Sequence, residues 1–276
     1  MADVDALTTL PETDAPRPGE VWLVGAGPGD PGLLTLRAAE ALKRADLVLH
    51  DALPGRGVLR LIRAGATIVN VGKRKGATPI PQAAINKRLI EGARVGLRVV
   101  RLKGGDPFLF ARGGEEAIAL NEAGITWRLV PGVSAGTSVP AAAGIPLTHR
   151  GVSSAVTFVT GHDGAGALPD SVDWSALARL GGTIAAFMAV SRLDEIVVRL
   201  VAGGLPPETP VAIIAQGTQA VQATLRTTLG ACTLDAKRAA LPGPAMVVIG
   251  AAAGLAMTLL NTIPVQPPRQ EVRTHG

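Results

Sequence analysis

Five short segments of the chain combine glycines with charged or polar side chains, so each can present both bare backbone and a reactive group to a ligand. Each segment directly follows an apolar run typical of a β-strand; the segments comprise residues 25–30, 51–55, 72–76, 103–107 and 131–136. In an open parallel sheet, ligands bind outside the carboxyl ends of the strands. We therefore expect the five segments to line one pocket.

The first segment, Gly-Ala-Gly-Pro-Gly-Asp, is glycine-rich like a nucleotide-binding turn. It lacks the third glycine of the dinucleotide fingerprint, since position 30 is Asp, and it lacks the Gly-Lys-Ser/Thr of a P-loop. Pro28 also removes a backbone donor that a pyrophosphate would use. Two interpretations stay open: a ligand-binding turn that matches neither fingerprint, and a tight strand-to-helix turn without a ligand.

Residues 103–107, Lys-Gly-Gly-Asp-Pro, are more specific, because paired glycines beside a fixed carboxylate suit a ligand with an amino group and other hydrogen-bonding atoms. The alternative is an Asp-capped turn. Shortly afterwards, Arg112 precedes two glycines and then Glu115 and Glu116, at the predicted start of a helix. The helix dipole explains the glutamates. It does not explain Arg112, which is therefore a candidate binding residue.

The composition favours an anionic small-molecule ligand over nucleic acid. The 276-residue chain has a formal net charge of +5, and most of its basic residues are arginine, which suits carboxylates and phosphates. Aromatic residues make up 3%, Tyr is absent and no extended Lys/Arg block occurs, so we expect no nucleic-acid partner.

Cys232 is the single cysteine, which fits a reducing, cytoplasmic location. His149 and His162 belong to no cluster with metal-ligand spacing, so we expect no metal site.

Short β-rich runs alternate with longer amphipathic segments, a pattern that predicts parallel βα units and an α/β fold. In the first half, strands are expected at 21–24, 47–50, 67–71, 98–102 and 127–130, and helices near 35–45, 57–64, 81–93, 114–123 and 135–143. In the second half, a β-ribbon is expected near 222–229 and strands at 155–160, 183–188, 211–215 and 245–249.

The run 144–151 has no periodicity and separates the two halves. We therefore predict an N-terminal α/β domain over 20–148 and a C-terminal α/β domain over 149–258. Residues 1–19 are predicted to be a disordered leader and residues 259–276 a disordered tail.

Residues 245–260 are nearly all apolar and approach the length of about 20 residues that spans a bilayer. Pro242, Pro244, Gly250 and Gly254 punctuate this stretch, which favours a buried strand followed by an alanine-rich helix. The N-terminus has acidic residues where a signal peptide would have basic ones. We therefore expect a soluble protein without a membrane partner.

Six motifs occur in a fixed order along the chain: Val24-Gly-Ala-Gly-Pro-Gly-Asp-Pro31 with Leu34-Thr-Leu36, Val71-Gly-Lys-Arg74, Val100-Arg-Leu-Lys-Gly-Gly-Asp-Pro-Phe108, Arg112-Gly-Gly-Glu-Glu116, Val130-Pro-Gly-Val133 and Gly144-Ile-Pro-Leu-Thr-His-Arg150. They resemble the uroporphyrinogen-III C-methyltransferases of the tetrapyrrole methylase family, over roughly residues 21–250. The resemblance implies the class III methyltransferase fold, two α/β/α domains with the active site in the cleft between them, in a homodimer. It also implies methyl transfer from S-adenosyl-L-methionine to C2 and C7 of uroporphyrinogen III.

The resemblance assigns residues motif by motif. It implies that S-adenosylmethionine contacts Pro28, Gly104, Gly105, Asp106, Leu109, Ser134, Ala135, Met188, Gly217 and Ala245. It implies that the tetrapyrrole or the transferring methyl faces Asp51, Lys73, Arg112, Glu115, Arg150 and Met188. The chain departs from the family pattern at side chains expected near the ring system, namely His50, Pro54, Ser134, Ala189 and Ala215.

Such a site must hold a polycarboxylate and a sulfonium cation together in a dry cleft. Arg112 and Arg150 can each bind a substrate carboxylate through two parallel N–H···O hydrogen bonds. In-line methyl transfer chiefly needs the reacting atoms held about 3–3.5 Å apart. For the ring proton, a guanidinium is a poor base, so Asp51 or Glu115 is the expected acceptor, while Lys73 donates a proton or balances charge.

The sequence leaves two alternatives open. One is a methyltransferase that acts on a later precorrin. The other is a nonenzymatic nucleotide-binding regulator on the same fold.

Overall fold

The computed structural model describes residues 15–72, 80–163 and 166–255. Within them, the first half of the chain forms a five-stranded parallel sheet in the order β3-β2-β4-β1-β5. Its strands are β1 (Val21–Gly25), β2 (Leu47–His50), β3 (Thr67–Asn70), β4 (Val99–Lys103) and β5 (Trp127–Val130). Each lies within one or two residues of its predicted position, and the α/β fold is confirmed.

The helices that accompany this sheet are α1 (Leu36–Arg44), α2 (Arg56–Leu59), α3 (Gln82–Arg94), α4 (Gly113–Glu122) and α5 (Ala135–Ala142). Helix α2 is shorter than the helix predicted near 57–64. The N-cap of α1 is Thr35, whose side chain accepts a hydrogen bond from Ala38 N, as expected for a residue of this type at a helix start.

Strand β1 lies between β4 and β5 and is buried along its whole length. Trp22 and Val24 pack in the layer that contains α1, whereas Val21 and Leu23 pack in the opposite layer, with α3 and α4. Successive side chains of a strand point to opposite faces, so a strand covered on both faces must be apolar throughout. This explains the continuous apolar run in the sequence.

The second half forms a five-stranded sheet in the order β6-β7-β10-β8-β9. Its strands are β6 (Val156–Thr160), β7 (Thr183–Phe187), β8 (Pro210–Ala215), β9 (Ala223–Thr228) and β10 (Ala245–Ile249). Its helices are α6 (Trp174–Leu180), α7 (Leu193–Ala202) and α8 (Cys232–Ala239).

This second sheet is mixed, although the sequence pattern predicted parallel βα units. Strand β9 is antiparallel to β8, and β10 is antiparallel to both β7 and β8. The loop between β8 and β9 is too short for a parallel crossover, so β9 must reverse direction. Helix α8 then connects β9 to β10, and a helical crossover keeps the direction of the strand before it.

Helix α5 follows β5 of the first sheet but packs on the second. Val139 lies in the cluster that contains Ala185 and Ile214. At its carboxyl end, Ala142 O accepts a hydrogen bond from Gln222 Nε2 at 3.1 Å. The chain therefore passes from one sheet to the other within residues 131–134, ahead of the predicted boundary at 148/149.

As expected, the buried strand β10 is followed by an alanine-rich helix, which is a short 3₁₀ helix over Ala251–Gly254. Among the described residues, no helix has the length and apolarity needed to cross a membrane. The predicted tail, and residues 1–14 of the predicted leader, lie outside the described residues.

Candidate active site

The loops after β1 and β4 are joined backbone to backbone at the carboxyl edge of the first sheet. Gly27 N donates to Gly105 O at 3.2 Å, and Gly105 N donates to Gly27 O at 2.8 Å. Ala26 N also donates to Lys103 O at 2.7 Å. Two of the glycine-rich segments therefore form one continuous surface.

The loop after β5 meets the same surface through glycine. A Cβ added at Gly132 would lie 2.2 Å from Gly105 O and 2.8 Å from Gly25 Cα, so only glycine fits there. This is the close backbone approach that the glycine content predicted. Three of the five segments thus contact one another through bare backbone.

Both carboxylate oxygens of Asp106 accept backbone hydrogen bonds. Oδ1 accepts from Phe108 N at 2.8 Å, and Oδ2 accepts from Gly132 N at 3.0 Å. The first bond is the Asp-capped turn that the sequence left open. The second ties the loop after β4 to the loop after β5.

Asp51 links a fourth segment to the same loop. Its Oδ2 accepts from Gly104 N at 3.2 Å and its Oδ1 from Leu53 N at 2.9 Å. A Cβ added at Gly104 would lie 2.5 Å from Leu53 Cβ. Gly72 packs against this loop as well, since its added Cβ would lie 2.3 Å from Ala52 N. Lys73 lies outside the described residues.

Arg112 and Glu115 form a forked ion pair at the start of α4. Arg112 Nε donates to Glu115 Oε1 at 2.8 Å, and the second guanidinium nitrogen donates to Oε2 at 2.7 Å. Both side chains are more than half exposed. The hydrogen bond from Arg112 lowers the pKa of Glu115, and the same bond raises the pKa of Arg112. The pair therefore keeps the guanidinium charged and makes Glu115 a weaker base than an ordinary glutamate.

A buried ion cluster lies directly beneath this edge. Glu116 is fully buried; its Oε1 is 2.8 Å from Arg101 Nε and its Oε2 is 3.0 Å from Lys103 Nζ. Burial, followed by the charge of Arg101, lowers the pKa of Lys103. The helix dipole alone does not account for Glu116, and this cluster was not predicted from the sequence. The signal was present, because Arg101 and Lys103 are charged residues two apart on a strand that is otherwise apolar.

The second half of the chain contacts loops at the same edge. Thr218 Oγ1 accepts from Asp30 N at 3.2 Å. The rings of Phe110 and Phe187 have centroids 5.0 Å apart. The two halves therefore contact each other across the loops that carry most of the candidate residues.

Several non-glycine residues around this region hold left-handed backbone, which is uncommon for L-residues. They are Phe110, Arg112, Met188, Gln216 and Thr218, with φ between 50° and 65°. Backbone of this kind tends to cluster at functional sites, where the surrounding structure maintains it.

The remaining candidate residues are on helix α5, at the ends of β8 and β10, and in the loops after β1, β4 and β7. Ser134 is the N-cap of α5, with Oγ accepting from Gly136 N at 3.1 Å, and Ala135 starts the helix. Ala245 pairs with Ala215, the last residue of β8, and Gly217 follows two residues later. Pro28 and Leu109 are half-buried, and Met188, directly after β7, is 42% exposed.

Arg150 is separate from the others. Ser153, three residues later, bonds through Oγ to Thr183 Oγ1 at 2.9 Å, at the amino end of β7. Met188 follows the opposite end of that strand. The described contacts therefore do not join Arg150 to the other candidates.

No group of three or more His, Cys, Asp or Glu residues in the described ranges is arranged to hold a metal ion. In His149 and in His162, ring Nδ1 faces the carbonyl of the following residue. A cavity of about 240 Å³ between α7 and α8 is lined by Val190, Asp194 and Lys237 among others, and it contains none of the candidate residues.

The chain is similar to known proteins in both sequence and structure. The family described as Tetrapyrrole (Corrin/Porphyrin) Methylases matches residues 20–233. A uroporphyrinogen-III C-methyltransferase from a Sinorhizobium species is 50% identical over 232 residues, which are 84% of this chain and 83% of the relative. Siroheme synthase 1 of Yersinia enterocolitica is 51% identical over 232 residues. The chain covers 48% of that longer protein, about half its length.

Among solved structures, a uroporphyrin-III C-methyl transferase from Thermus thermophilus, in complex with S-adenyl homocysteine, superimposes with a TM-score of 0.73. Its sequence is 36% identical, and the match covers 85% of this chain and 99% of that one.

Proposed function

The chain belongs to the tetrapyrrole methylase family, and on that premise we propose that it transfers methyl groups from S-adenosyl-L-methionine to C2 and C7 of uroporphyrinogen III. The products are precorrin-2 and S-adenosyl-L-homocysteine. The observation that carries the proposal is the 50% identity to a uroporphyrinogen-III C-methyltransferase across 83% of that relative's length. Siroheme synthases match over about half their length, so the proposal concerns methyl transfer alone.

The junction of glycine loops is suited to S-adenosylmethionine. Gly104, Gly105 and Gly132 present backbone without side chains, and a Cβ at two of them would collide with neighbouring atoms at 2.5 Å or less. Backbone N–H and C=O groups can bind the heteroatoms of such a molecule where it approaches closely. When bound, the sulfonium supplies the methyl group. The contacts assigned through the family resemblance to Pro28, Leu109, Ser134, Ala135, Met188, Gly217 and Ala245 are part of the proposal.

Arg112 is proposed to hold a substrate carboxylate. Its pKa is raised by Glu115, so it stays cationic, and the guanidinium N–H groups that do not bond to Glu115 can bind an acetate or propionate side chain. Arg150 and Lys73 are proposed to face other carboxylates of the same substrate.

Asp51 is the better of the two candidate acceptors for the ring proton. Its carboxylate lies beside Gly104 and is held by two backbone N–H groups. Glu115 has a lowered pKa because it is engaged by Arg112. A carboxylate fixed next to the glycine loop can receive a proton without first breaking an ion pair.

We also propose that the protein is a homodimer and acts in the cytoplasm. Both follow from the family resemblance.

The test is incubation of the purified protein with S-adenosylmethionine and uroporphyrinogen III under reducing conditions, followed by mass spectrometry. Addition of two methyl groups is the expected result. Methylation of a later precorrin but not of uroporphyrinogen III would reassign the substrate. Binding of S-adenosylhomocysteine without transfer to any tetrapyrrole would indicate a regulator.

A further inference from the structure

One buried carboxylate, that of Glu116, is the centre of an ion cluster that joins elements of the candidate site. The carboxylate pairs with Arg101 and Lys103 of β4 and also accepts a hydrogen bond from Gln82 Nε2 of α3 at 3.1 Å. The side chains of Arg101, Lys103 and Glu116 are 5%, 3% and 0% exposed. The cluster is therefore inaccessible to any ligand.

Each element that the cluster joins carries a different part of the site. Lys103 directly precedes Gly104 and Gly105. Glu116 directly follows Glu115, which holds Arg112. Arg101 donates to the carbonyl oxygen of Leu49, two residues before Asp51, at 3.4 Å. The cluster thus links the glycine loop, the arginine proposed to bind substrate and the proposed proton acceptor.

Stability alone does not explain these charges. Two cations share one carboxylate, and desolvating charges is so costly that apolar residues of similar volume often stabilise a core as well or better. A buried, geometrically defined ion cluster can instead fix one arrangement of the elements that it joins.

We infer that Lys103 and Glu116 are positioning residues, which set the distance between the glycine loop of residues 104–106 and Arg112. This inference rests on the proposed function, in which that distance separates the methyl donor from a substrate carboxylate. Neither residue touches the reacting groups. Their effect on the rate is exerted through the placement of the loop and of α4.

The test compares Lys103→Met, which keeps the length of the side chain and leaves Arg101 and Glu116 as a balanced pair, with Asp46→Asn. Asp46 pairs with Arg98 at 2.8 Å at the amino ends of β2 and β4, the opposite edge of the same sheet. It therefore controls for loss of an ion pair in the same strands, far from the site.

Misplacement of reacting groups by about 1 Å can cost up to about 100-fold in rate. We expect Lys103→Met to lower kcat by about tenfold or more, while S-adenosylhomocysteine still binds with one-to-one stoichiometry. Asp46→Asn should leave kcat unchanged. Equal kcat losses in the two variants, or none in Lys103→Met, would overturn the inference.

A structural measurement decides the inference independently of the substrate. In crystals with S-adenosylhomocysteine, the distance between the Cα atoms of Gly104 and Arg112 should change in Lys103→Met and stay constant in Asp46→Asn. An unchanged distance refutes positioning even if the wild-type enzyme is fully active. A wild-type enzyme inactive on uroporphyrinogen III refutes the proposed substrate but leaves this measurement valid. If Lys103→Met does not fold, Gln82→Leu removes one hydrogen bond to the same carboxylate and should shift the distance in the same way.

Discussion

The carboxylate of Asp106 accepts a hydrogen bond from the backbone N–H of Gly132 at 3.0 Å, which joins the loops after β4 and β5 across the end of β1. A second bond from Phe108 N occupies the other oxygen. Asp106 therefore acts on the shape of the proposed cofactor surface as well as on its charge.

Replacement of this carboxylate by an amide tests that relationship. Asp106→Asn keeps the shape of the side chain, but its NH₂ group cannot accept the bond from one of the two backbone donors. A hydrogen bond to a charged group contributes about 1.5–3 kcal/mol, so we expect affinity for S-adenosylhomocysteine to fall about tenfold or more. Isothermal titration calorimetry measures this directly. Unchanged affinity would mean that the loops hold their arrangement without the carboxylate.

Close packing of backbone at Gly132 gives a second prediction. In Gly132→Ala the new methyl group would lie 2.2 Å from Gly105 O, and the loops must separate to accommodate it. Binding of S-adenosylhomocysteine should fall by at least about tenfold, since the ligand surface itself is displaced. Gly114→Ala is the matched control, because no atom lies within 4 Å of its added methyl group. Its affinity should equal that of the wild type; a similar loss in both variants would contradict the explanation.

Arg112 is expected to bind substrate rather than take part in proton transfer. Arg112→Ala should raise KM for uroporphyrinogen III by about tenfold, the size of one lost charge-assisted interaction of about 1.4 kcal/mol, with a much smaller change in kcat. Arg112→Lys should retain turnover. Steady-state kinetics with both variants separates the roles, because normal substrate affinity with abolished turnover in Arg112→Ala would show a direct part in the chemistry.

Stability in acid should depend on Asp46. Hydrogen bonds donated by Arg98, chiefly from its guanidinium and also from its backbone N–H, hold the pKa of this carboxyl well below its ordinary value of about 3.9. A carboxyl with a lowered folded-state pKa contributes stability that is complete above the unfolded pKa and is lost as the pH falls below it. We expect Asp46→Asn to be less stable at pH 7 by about 1 kcal/mol, since the pair is partly exposed. Denaturant titrations should show this difference shrinking below about pH 4.

Activity in alkali should depend on Lys103. Burial and Arg101 lower its pKa, while Glu116 and Asp51 oppose that shift. The ammonium should therefore lose its proton below the ordinary lysine pKa of about 10.4, and kcat should fall with it as the pairing to Glu116 is lost. The folded protein binds this proton less tightly than the unfolded chain, so this group makes unfolding less favourable as the pH rises. Deprotonation of Lys103 therefore does not itself favour unfolding, and a pH profile of Lys103→Met should lack that alkaline limb.

The first sheet could be predicted from sequence because a strand buried on both faces leaves a continuous apolar run, as in β1. The strand directions of the second sheet could not. The segments that form β8, β9 and β10 show the same apolar or alternating pattern whichever direction each strand takes in the sheet. Their directions depend on the short loop after β8 and on where β10 inserts.

Much of the candidate site was also visible in the sequence, since glycines and charged residues follow strands whose carboxyl ends share one edge. What could not be predicted is which partner each charge takes. Glu116 pairs with β4 only because α4 packs against that strand. Asp106 Oδ2 reaches Gly132 N only because β4 and β5 both flank β1. Such pairings are properties of the assembled fold.

The left-handed residues around the site bear on attempts to make this protein more heat-resistant. Each such residue costs about 1–2 kcal/mol of conformational energy, which glycine would relieve, partly offset by its greater freedom in the unfolded chain. A screen scored on melting temperature alone would therefore select changes at Phe110, Met188 and Thr218. These side chains bridge the two halves or face the proposed cofactor. Variants with a higher melting temperature found in this way should therefore have a lower catalytic rate.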